Sequence, residues 1–95
     1  MTYQDFISSI KNNCTGKSYP KELKALCLDK NNRWDEAHEL IQWLPGTGFA
    51  LIHAYLHRKE GDLWNANYWY SRAGAKMPNI SLEEEWESLA RKFCG

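Results

Sequence analysis

The stretch GFALIHAYLHRKEGDLWNANYWYSRAG, residues 48–74, decides the fold. Its first half places Phe49, Ala50, Leu51, Ile52, Ala54, Tyr55 and Leu56 around most of a helical circumference, and a helix apolar on nearly all sides is a buried one. Gly61 supplies the left-handed residue that ends a helix over 48–59, and Asp62 then caps another that reaches Ala73, with Gly74 as its terminator. Upstream, Pro45 stops a helix over 34–44 that carries Ala37, Leu40, Ile41 and Leu44 on one side. Pro20 suits the first turn of another helix, in which Leu23, Leu26 and Cys27 form a stripe before 29–32 ends it. Tyr3, Phe6, Ile7 and Ile10 recur at helical spacing over 2–12, with a break at Gly16 beyond them. Downstream, Ser81 followed by Glu84 is a capping box, opening a helix with a seam of Leu82, Trp86, Leu89 and Phe93. No stretch alternates with period two. The expected architecture is all-α, six helices in antiparallel succession because the connections are short, with the last one capping the array.

Ninety-five residues allow one domain, 1–95. Twelve Lys and Arg balance twelve Asp and Glu, so no global field gathers nucleic acid or an anionic membrane, and neither partner is expected. No apolar run approaches a membrane span, and Met1-Thr2-Tyr3-Gln4-Asp5 lacks the basic start and apolar core of a secretory signal. Cys14, Cys27 and Cys94 are odd in number and show no metal-site spacing, which reads as three free thiols. A cytoplasmic location follows from both points.

The helical hairpins share a register. Asn32-Arg33-Trp34-Asp35-Glu36-Ala37 and Gly61-Asp62-Leu63-Trp64-Asn65-Ala66 stand at the same place in successive hairpins, with Ile41 and Tyr70 each four residues after the alanine. On Gly61, Ala66, Tyr70, Ala73 and Pro78, together with Ala54, residues 48–78 resemble a tetratricopeptide or Sel1-like helical repeat. Residues 20–44 match more loosely, keeping Ala25, Trp34 and Ala37. The resemblance implies helical hairpins stacked side by side, the usual scaffold of a protein-binding module. The strings at 34–38, 53–62 and 65–74 also look like a group of small bacterial proteins of unknown function, which adds no chemistry.

All three histidines fall in the middle of the chain. His53 and His57 are four apart and share a helical face, the spacing of a two-histidine metal grip. An antiparallel register around the Pro45-Gly46-Thr47 turn sets His38 opposite Ala54 and Asp35 opposite His57, so that three imidazoles, Asp35 and Glu39 surround one site. His38, His53, His57 and Asp35 are thus candidates for acid-base chemistry on a small ligand or, more weakly, for metal ligation. The competing reading makes them semi-buried histidines hydrogen-bonded to Asp35, Asn65 or Tyr68. Ala54-Tyr55-Leu56 between the two histidines supplies no base, so HExxH chemistry is excluded, and no Ser or Cys nucleophile lies nearby. No cofactor and no stoichiometric metal are expected.

Five Trp and five Tyr exceed what a small helical core requires. Trp64 and Tyr68, with Trp43 and Tyr55, are candidates for a binding surface, Arg58, Lys59 and Arg72 for its cationic rim, and Asn65 for orienting a ligand. Two functions compete. One is a non-enzymatic module that holds a protein or peptide partner, or a second copy of itself, on the aromatic surface of 48–78. The other is a small enzyme or ligand-binding protein built on His38, His53 and His57.

Overall fold

The computed structural model describes residues 1–12, 14 and 19–94. Among these residues six α-helices follow one another: α1 (Tyr3–Ser9), α2 (Lys21–Lys30), α3 (Trp34–Ile41), α4 (Thr47–Lys59), α5 (Leu63–Arg72) and α6 (Leu82–Phe93). A 3-10 turn over Ile10–Asn12 extends α1, and no strand occurs among the described residues. The all-α expectation holds, and α2–α3 and α4–α5 are antiparallel hairpins with the most extensive helix-to-helix packing among the described residues.

The signals at the helix ends act as their chemistry requires. Gly61 and Gly74 take φ of +86° and +72°, the region an L side chain resists. The Asp62 carboxylate accepts from the Asn65 amide at 3.2 Å, and Ser81 and Glu84 cap each other's backbone N–H groups at 3.0 Å. Two boundaries differ from expectation. α3 stops at Ile41 rather than Leu44, because the residue before Pro45 is pushed out of the helical region and Leu44 closes a turn to the Ile41 carbonyl instead. Pro20, at ψ 146°, precedes α2 rather than entering its first turn. The expected break at Gly16 lies outside the described residues.

One core links the helices: Phe6 from α1, Leu23 and Leu26 from α2, Ile41 from α3, Ile52 and Leu56 from α4, Trp86 and Leu89 from α6. A smaller cluster, Ala54, Ala66 and Tyr70, joins α4 to α5. Both alanines are fully buried, so the helices meet where the side chains are smallest. α6 lies across α2 and α4, the first helices of the two hairpins. Its Trp86 indole N–H donates to the Leu26 carbonyl at 3.0 Å, while its ring stacks on Phe6 at 5.9 Å and receives the Lys30 ammonium. At the other end of α6, Phe93 comes so close to Gly48 that a methyl there would meet its ring at 2.9 Å.

The expectation of three free thiols is corrected. Cys14 and Cys27 form a disulfide, with Cα atoms 5.9 Å apart, and only Cys94 is a free, buried thiol. The chain returning from α1 brings Cys14 onto α2, a placement sequence spacing does not encode; the Asn31 amide, bonded to the Ile10 and Cys27 carbonyls, ties the same junction. Glu85, in the first turn of α6, does more than face the helix dipole. It is buried and bonded to the Arg58 guanidinium at 2.8 Å and to the Tyr70 phenol, because its turn of α6 faces α4 and α5.

Candidate functional site

α3 and α4 bring the three histidines together. His53 and His57 stand one turn apart on α4 with rings stacked at 4.9 Å, and His38 on α3 faces both, 4.8 Å and 5.2 Å from them between ring centroids. The Nε2 atoms of His38 and His53 are 3.0 Å apart, and one nitrogen of each imidazole lies within 4.8 Å of the others. Two indoles wall the cluster. Trp34 stacks on His38 at 5.1 Å, fixed by its own N–H donating to the Leu56 carbonyl at 2.8 Å. Trp69 of α5 stacks on His53 at 4.0 Å.

Burial is the main reason that His53 is pushed down to about 4, with the adjoining His38 and His57 adding to the effect. His38 is lowered for the same first reason and by His57, against the weaker pull of Glu60, Asp35 and Glu39. Both are neutral at pH 7, and each neutral imidazole has one N–H and one lone pair. A single N–H shared between the two Nε2 atoms accounts for their contact. His57 is anchored differently, its Nδ1 lying 2.6 Å from the Glu60 carboxylate.

The carboxylates expected in the site are elsewhere. Asp35 and Glu39 are exposed and give no atom to the cluster, and Glu60 takes the place assigned to Asp35. The register is one residue off: Trp34, not Asp35, sets its ring edge against His57, and His38 meets His53 rather than Ala54. One helical residue is a rotation of about 100°, which turns Asp35 out to solvent. Nor are Asn65 and Tyr68 partners of the histidines. Asn65 closes the Asp62 cap, with its amide on the carboxylate at 2.6 Å.

The aromatic candidates divide. Tyr55 is in the core, its phenol donating to the buried Asp29 carboxylate at 2.8 Å, and Lys59 reaches the same carboxylate at 2.9 Å. Arg58 is held by Glu85 and the Ile80 carbonyl. By contrast Trp64 and Tyr68 stack on each other at the surface of α5, 77% and 45% exposed. Trp43, 85% exposed, projects from the turn between α3 and α4. Arg72 lies over the Tyr68 and Trp69 rings. A cavity of about 440 Å³ opens between that turn and α5, lined by Trp43, Phe49, His53, Trp69 and Arg72 among others.

Sequence reasoning missed Trp34, Trp69 and Glu60. Trp34 stands four residues before His38 and Glu60 three after His57, so helical spacing pointed to both; Trp69 reaches His53 only through the packing of α5 on α4. No family model matches the chain, and no similar protein was found among curated proteins or solved structures. No helix among the described residues is long and apolar enough to cross a membrane.

Proposed function

We propose that this domain is a non-enzymatic binding module that holds a peptide segment of a partner protein on the face formed by α5 and the turn between α3 and α4. The observation that carries it is the run of exposed aromatic surface from Trp64 and Tyr68 to Trp43, beside a cavity large enough for an apolar anchor. Arg72, resting on the Tyr68 and Trp69 rings, supplies a cation for an acidic group next to that anchor. On this reading the two hairpins are helical repeats of the tetratricopeptide kind. Their first-helix face is filled by α6, which leaves α5 as the recognition surface. Selection from a peptide library tests the reading. Enriched peptides should combine an aromatic or aliphatic residue with a nearby Asp or Glu, and Trp64→Ser with Tyr68→Ser should abolish their binding without loss of helicity. Binding that survives the double substitution, or no enrichment at all, refutes it.

For location, the Cys14–Cys27 bridge removes the cysteine argument for the cytoplasm and favours an oxidising compartment, since cytosolic thiols are kept reduced. Mass spectrometry of alkylated, unreduced protein from its native source distinguishes the two.

A further inference from the structure

The histidine cluster differs in kind from the two buried carboxylates of this protein. Asp29 and Glu85 each meet a cation and a phenol, so charge and hydrogen bonds are matched. His38, His53 and His57 instead turn ring nitrogens toward one another, with no carboxylate among them and one N–H at most between the two Nε2 atoms. Lone pairs converging on one point are what a transition ion of borderline softness requires. With bonds of about 2.0–2.1 Å, the nitrogens around a tetrahedral ion stand about 3.3–3.4 Å apart. The His38 and His53 atoms, at 3.0 Å, are already close to that separation, and the third nitrogen lies within side-chain adjustment of it. Glu60 on Nδ1 of His57 fixes that ring as carboxylates fix metal-bound histidines, and leaves its Nε2 for the ion. Trp34 and Trp69 hold the other two rings from outside.

We propose that His38, His53 and His57 bind one divalent transition ion of the zinc class, with Glu60 as a positioning residue and the fourth coordination position open to water or a ligand. This goes beyond the partner-binding reading and does not depend on it. The test uses untagged, chelator-treated protein titrated with zinc chloride by calorimetry. One equivalent should bind with a Kd of about 1 µM or tighter, and the melting temperature should rise with zinc concentration. His38→Gln should weaken binding by at least about tenfold, as should Glu60→Gln through the loss of ring orientation. X-ray absorption of the zinc-loaded wild-type protein should show three imidazole nitrogens at about 2.0–2.1 Å, a readout that stands even where a variant fails to fold. Binding weaker than about 100 µM, or fewer than three imidazoles in that spectrum, overturns the proposal. So does unchanged affinity in His38→Gln together with its loss in Glu60→Gln, which would put the ion on His57, Glu60 and Asp62 instead.

Discussion

From one helix, α4, Tyr55, Arg58 and Lys59 reach two buried carboxylates, while His53 and His57 reach only another imidazole and the exposed Glu60. In the first group every charge has its opposite and every phenol an acceptor, which is how a small core admits polar groups without loss. In the second, burial keeps His53, and His38 facing it, uncharged instead of matching a charge. Matched groups resist change and lock helices together; neutral imidazoles bonded to one another and to a surface carboxylate, and held in place by indoles, are available to something from outside. The difference teaches that in this domain burial alone does not mark a site, and a cluster without opposite buried charges does.

The largest effect should come from Glu85→Ala. It strands a guanidinium and a phenol between α4, α5 and α6, and urea denaturation should show a loss of about 3–5 kcal/mol; a loss below about 1 kcal/mol would erase the contrast between the clusters. The same pairing governs alkaline behaviour. Burial first, and the adjoining carboxylates next, raise Tyr55 and Tyr70 above the ordinary value near 10. Because the protonated phenols are the forms that folding favours, their contribution is intact below pH 10 and fades as the pH climbs past it. Ultraviolet titration should therefore find these two ionising only with unfolding.

Next in size, Ala66→Leu should cost about 1–3 kcal/mol by thermal melting, since added methylenes wedge α5 away from α4 where Ala54 faces it. His57→Gln should cost under about 1 kcal/mol without metal, its partner Glu60 being at the surface; a larger loss would place His57 with the matched, structural groups. Smallest of all, Trp64→Ala should shift stability by no more than about 0.5 kcal/mol, because that ring covers little but Tyr68.

The helices were legible because their punctuation is local: Gly61, Gly74, Asp62 and the Ser81–Glu84 box each act within four residues. The small position Ala66 was legible through its shared register with Ala37, and Ala54 through the repeat resemblance. What escaped depends on rotation and long-range return. A slip of one residue between α3 and α4 exchanged Asp35 for Trp34 beside the histidines. The burial of Glu85 beside the exposed Glu83 and Glu84 depends on the orientation of α6, and Cys14 could find Cys27 only once α1 had folded back.

The bond from Trp86 to the Leu26 carbonyl spans 60 residues of chain, and it concerns time as well as space. At about 5–20 residues per second, a ribosome makes residue 26 roughly 3–12 s before residue 86. Throughout that interval the apolar faces of α2 and α4 that α6 later covers have no partner from their own chain. The α4–α5 hairpin closes from near neighbours and can form as soon as it emerges. During synthesis the nascent protein thus carries an uncovered face on each of its two hairpins, and protection from aggregation comes with its sixth helix.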